Sequence, residues 1–150
     1  MWHEGLTLNL VAWILNALAL ATGAALGARA LLDPRWASRL VRLKPDESRP
    51  GGAAEFRATY GGLLLGMHGV SLLVTVHWIL FGQEVIGAFA TGAAMVLAAG
   101  WFGAAFGRAV SIWRDDVRTK FNILSAAFEA LVGMMLAAPW LVWFLTINSP

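Results

Sequence analysis

Glu129 is the one acidic residue that lies well inside an apolar run of this chain. An ionised carboxylate at mid-membrane depth costs about 2.5–3.5 kcal/mol on insertion scales, so Glu129 needs a cationic partner or a proton. It shares a helical face with Asn122, Ser125 and Gly133 by i, i+3, i+7, i+11 spacing. Two guanidiniums can reach it from the same side: Arg57, where the second apolar run opens, and Arg108, where the third ends. A guanidinium keeps its charge at any accessible pH, so each must snorkel to water or find a partner. The expectation is a polar centre of Arg57, Tyr60, Arg108 and Glu129, extended by His68, Asn122 and Ser125. Its chemistry has two readings. It is a buried ion pair locking helices together, or it is the floor of a cavity for a lipid headgroup, quinone or other amphiphile, with Glu129 also able to carry a proton.

Other chemistries find little material. With no cysteine there is no disulfide, thiolate metal site or thiol nucleophile. His68 and His77 share a helix and face nearly opposite ways, unlike haem ligands, which come from two helices at matched depth. His3 could join His77 at the outer surface, but two ligands without a third make a poor metal site. Asp115-Asp116, beside Arg114 and Arg118, reads as a helix cap with local charge pairing. No Ser/His/Asp grouping, phosphate loop or H-E-x-x-H occurs. The chain is therefore expected to be non-enzymatic, with no catalytic residue, no metal and no obligatory cofactor; quinone or bound lipid are the ligands left open.

Positioning this centre falls to four apolar runs, about Leu6–Leu32, Ala54–Phe81, Val85–Gly107 and Phe121–Ile147. Each meets the roughly 20 residues that a bilayer core requires. With 59% hydrophobic and 13% charged residues in 150, the fold class is all-α, a single polytopic four-helix antiparallel membrane bundle. No lysine or arginine precedes the first run, so it is expected to stay as a membrane helix and not to be cleaved as a signal peptide. All eleven Lys and Arg cluster around the first and third connections. The positive-inside rule then puts those connections in the cytoplasm and both termini outside, in a bacterial inner membrane. Nucleic-acid binding is not expected, because the basic residues flank apolar runs and face headgroups. Gly82-Gln83-Glu84 allows only a tight hairpin. Trp2, Trp78, Trp140 and Trp143 form an outer aromatic belt, Trp36 and Trp113 an inner one; Trp13 and Trp101 lie deeper.

Asp33-Pro34 is an N-cap followed by a first-turn proline, which starts a short helix over about 34–43. Trp36, Leu40 and Leu43 form its apolar face. Arg35, Arg39 and Arg42 form the other, set for lipid headgroups at the cytoplasmic interface or for a partner protein. Pro45 to Gly52 reads as a solvated loop. Small residues at four-residue spacing (Ala19, Gly23, Gly27; Gly62, Gly66; Ala99, Gly103, Gly107; Gly133, Ala137) make ridges for close helix packing, inside the bundle or across a homo-oligomer seam.

Glu55-x-Arg57-Ala58-x-Tyr60-Gly61-Gly62-Leu63, then Gly107-Arg108-x-x-Ser111 with Asp115-Asp116, and Glu129 in the last span, resemble the bacterial four-helix membrane family called domain of unknown function 4345. More remotely, the chain is similar to DoxX-like small membrane proteins. The resemblance covers nearly the whole chain and implies a fold and recurring polar positions. Its pattern leads one to expect a small residue where this chain has Asp116. Functionally, the expectation is a protein that binds a lipid-like ligand or membrane partner through its polar centre. The alternatives are a quinone-linked redox or proton-coupled transport component and an accessory subunit of a larger membrane complex.

Overall fold

The computed structural model describes residues 2–45 and 51–147, the side chains of 2–6 and 147 excepted. The aromatic-belt position of Trp2, the pairing of His3 with His77 and the loop at 46–50 lie outside the described residues. Those residues are helical almost throughout: α1 (Trp2–Leu32), α2 (Pro34–Val41), α3 (Gly52–Glu55), a π-helical segment (Phe56–Leu63) that runs into α4 (Leu64–Phe81), α5 (Glu84–Arg114) and α6 (Lys120–Ile147). Four stretches, Thr7–Leu32, Gly52–Phe81, Glu84–Arg114 and Lys120–Thr146, are long and apolar enough to cross a bilayer. The chain is a multi-pass, all-α membrane protein of the four-helix class. Its packing divides into two units, Leu20–Leu73 and Met1–Ala19 with Val74–Pro150.

Within Leu20–Leu73 two backbones touch. A Cβ on Gly27 would collide with the Leu65 backbone, and one on Gly61 would stand 2.7 Å from the Leu31 Cα. The expected ridge of the second span, Gly62 and Gly66, is displaced: Gly66 has nothing within 4 Å of its Cβ position and Gly62 meets only the Arg57 carbonyl oxygen. The π segment accounts for the shift, since i→i+5 bonding widens the turn and turns downstream residues out of the α register. Gly23 is covered by the His68 ring.

α2 begins as expected, with Asp33 accepting from the Trp36 N–H at 3.0 Å and Pro34 in the first turn. It stops two residues early. Arg42 adopts a left-handed conformation (φ 58°), and the Arg42 and Leu43 N–H groups return to the Arg39 and Ser38 carbonyls in a Schellman stop. The apolar face also differs from the expected one. Ala37 is buried against Ala30 and Phe56, with Trp36 and Val41 packed beside it, whereas Leu40 and Leu43 are exposed. On a helical wheel Trp36, Ala37, Leu40 and Val41 form one continuous apolar arc, so one edge packs on protein and the other is left bare, while Leu43 lies past the Schellman stop.

In the other unit α5 and α6 form an antiparallel pair. Gly133 lies under the Phe102 ring, and Trp101 meets Phe128 edge-on at 5.9 Å. α5 continues two turns past the expected end of its span, to Arg114. The α4–α5 connection is Gly82-Gln83; Gly82 takes a left-handed φ of 64°, and its N–H caps the Trp78 carbonyl. Gly87 packs on Trp78, so these two helices are neighbours. Trp13, one of the two deep tryptophans, is buried edge-on against Trp78 at 5.9 Å.

Candidate functional site

Arg108 and Glu129 meet where α5 and α6 run side by side. Arg108 Nε donates to both Glu129 carboxylate oxygens, at 2.7 and 2.9 Å, and Arg108 Nη1 donates to Asn122 Oδ1 at 3.2 Å. Glu129 is buried at 8% exposure, while the Arg108 side chain keeps 29%. The pair is thus carboxylate-in, guanidinium-toward-the-rim, which lowers the desolvation cost of the cation.

The turn before α6 holds this arrangement in place. Thr119 Oγ1 accepts from the Asn122 N–H at 3.2 Å, an N-cap for α6. Asn122 Nδ2 donates to the Val117 carbonyl at 3.1 Å, which leaves its Oδ1 facing Arg108. Ser111 Oγ donates to Asp115 Oδ2 at 2.9 Å, one turn further along α5. Asp116 sits at φ 53°, in the left-handed region that a glycine occupies without strain, and pairs with Arg118 at 3.4 Å on the surface. The expectation of a small residue there has a backbone reason. Asp115-Asp116 is the expected cap and charge-paired turn.

Beside the pair lies a pocket of about 280 Å³ lined by Ala104, Gly107, Arg108, Ser111, Asn122 and Glu129. Its room comes from small residues, since nothing lies within 4 Å of the Gly107 Cβ position. Ser125, one turn along the same face of α6 as Asn122, is half-buried and makes no side-chain hydrogen bond among the described residues.

The remaining expected residues, Arg57, Tyr60 and His68, belong to the Leu20–Leu73 unit and take contacts there. Arg57 Nε donates to the Leu31 carbonyl at 3.1 Å, one of the last carbonyls of α1, so its charge also meets the negative end of that helix. Tyr60 stacks on Phe56 with ring centres 5.5 Å apart. His68 is 1% exposed, with Nδ1 2.9 Å from the Leu64 carbonyl oxygen. Arg35 and Arg39 are exposed, and Arg29 stacks over Trp36 at 4.8 Å.

A second polar group was only half legible. Asn16 is fully buried; its Nδ2 donates to the Leu136 carbonyl at 2.8 Å, and its Oδ1 accepts from Thr75 Oγ1 at 3.3 Å. One turn beyond Leu136, Pro139 interrupts the backbone ladder of α6, because proline has no N–H to offer the Met135 carbonyl. In the sequence Asn9, Asn16 and Gly23 fall on one line of the first span, by i, i+7, i+14 spacing, and His68, Ser71 and Thr75 on one line of the second, which points to an interior with polar spots; nothing in spacing alone says that the acceptor is a backbone carbonyl. No protein family, curated protein or solved structure matches the chain.

Proposed function

We propose that this protein is a non-enzymatic, multi-pass inner-membrane protein that binds a lipid-like amphiphile with its polar group at the Arg108–Glu129–Asn122 centre. The observation that carries the reading is the pocket of about 280 Å³ beside a buried carboxylate–guanidinium pair. A pair serving only to clamp α5 to α6 has no need of space beside it, yet an open groove runs there past the small, exposed residues Ala104 and Gly107. Intramembrane ionisable groups beside a cavity mark ligand or ion paths more often than they mark stability.

The membrane setting fits. α2 carries exposed Leu40 on one side and exposed Arg35 and Arg39 on the other, with exposed Leu43 just past its end, the division expected of a helix lying in an anionic interface. With the first and third connections cytoplasmic, the Arg108 centre opens toward the inner leaflet.

The test is the amphiphile content of the purified protein by mass spectrometry. Wild type retains lipid or another amphiphile through gentle purification, and Glu129→Gln, which loosens Arg108, changes the amount. Identical content in the two proteins contradicts the reading.

A further inference from the structure

Resting on the amphiphile-binding reading above, we propose that the polar group taken at this pocket is an anion of the phosphate class, held on the unused edge of the Arg108 guanidinium. A guanidinium has five N–H donors in a fixed plane. The Nε–H is shared by the two Glu129 oxygens, and one Nη1–H goes to Asn122. Among the described residues the second Nη1–H and both Nη2–H groups meet no acceptor. These three donors form the fork that matches two oxygens of a phosphate in bidentate fashion.

The surrounding charge favours the same ligand. Glu129, the one buried acid among the described residues, already has both oxygens on Arg108 Nε. Arg114, Arg118 and Lys120 stand on the α5–α6 connection against Asp115 and Asp116. Of those acids, Asp115 accepts from Ser111 and Asp116 pairs with Arg118. The N-terminal end of α6, with Asn122 in its first turn, adds the partial positive charge of the helix. The Phe121 ring, its centroid 5.8 Å from the guanidinium carbon, adds an apolar surface beside the guanidinium, suited to an acyl glycerol backbone. Phosphate on a lipid and free phosphate share the recognised chemistry, and the experiment separates them.

The full chain is purified in mild detergent and titrated with phosphatidylglycerol, with diacylglycerol of the same acyl chains, and separately with inorganic phosphate, using native mass spectrometry and thermal unfolding as readouts. Wild type retains phosphatidylglycerol about tenfold over diacylglycerol, the worth of one good bidentate contact. Gly107→Leu fills the pocket without touching the ion pair; it removes this retention without lowering the unfolding temperature, since a helix-interior glycine facing open space is replaced by a better helix former. Arg108→Lys keeps the charge, loses the fork and abolishes the headgroup preference. Stabilisation by inorganic phosphate in wild type but not in Gly107→Leu assigns the anion to a soluble source; binding of phosphatidylglycerol alone assigns it to lipid. Equal, Gly107-dependent retention of both lipids overturns the phosphate proposal and leaves the amphiphile reading standing. Retention that ignores Gly107→Leu, or no retention at all, overturns both.

Discussion

At the scale of single residues, the chain satisfies its intramembrane polar groups in two different ways. Arg108 finds a carboxylate, whereas Arg57 and Asn16 find backbone carbonyls, at Leu31 and Leu136. The carboxylate solution was legible because an acid inside an apolar run is rare and its face can be read from spacing. The carbonyl solutions were not, since the carbonyls at the end of α1 and along the middle of α6 all carry the same chemistry and a sequence does not say which one is reached. Buried amide and hydroxyl are unequal here. Asn16→Ala strips the Leu136 carbonyl and Thr75 of a partner together, and is expected to lower stability by about 1–3 kcal/mol. Thr75→Val removes only the longer bond and keeps the shape, so it is expected to cost less than about 1 kcal/mol. Detergent-solubilised thermal unfolding ranks the two; equal losses would show that the Leu136 bond contributes nothing.

At the scale of elements, the four long helices and α2 follow from hydropathy, the Asp33-Pro34 start and clustered charge, although α5 runs two turns past its expected end and α2 stops two residues early. The π-helical segment at Phe56–Leu63 is the main departure. Periodicity arguments assume one turn size, so a wider turn moves the packed glycine from Gly62 to Gly61 without leaving a signal in composition. The consequence is measurable. Gly27→Ala drives a methyl into the Leu65 backbone and is expected to destabilise by about 1–3 kcal/mol. Gly66→Ala meets open space in a helix interior and is expected to stabilise by about 0.5–1 kcal/mol. If the two alanines ranked the other way by thermal unfolding, the close contact would lie at Gly66, on the ridge read from spacing, and not between Gly27 and Leu65. α2 teaches a related point: the expected face of Trp36, Leu40 and Leu43 missed the edge that packs on protein, which depends on Ala37, too small to weigh in a hydropathy pattern.

At the scale of the whole molecule, the absence of cysteine makes sidedness directly testable. Single replacements Lys44→Cys and Gln83→Cys in intact cells are expected to divide: Gln83→Cys reacts with a membrane-impermeant maleimide from outside, Lys44→Cys only after permeabilisation. Reaction of Lys44→Cys in intact cells would reverse the topology and place the Arg108 centre on the outer leaflet. The central claim is narrower, that the space between α5 and α6 beside Arg108 exists to be filled by an amphiphile. A density map of the wild-type protein in lipid nanodiscs tests it most directly. The account predicts elongated density running from the acyl region to the Arg108 guanidinium, between Gly107 and Phe121. A map in which the Arg108–Glu129 pair is in place and the space beside it holds only water would contradict it.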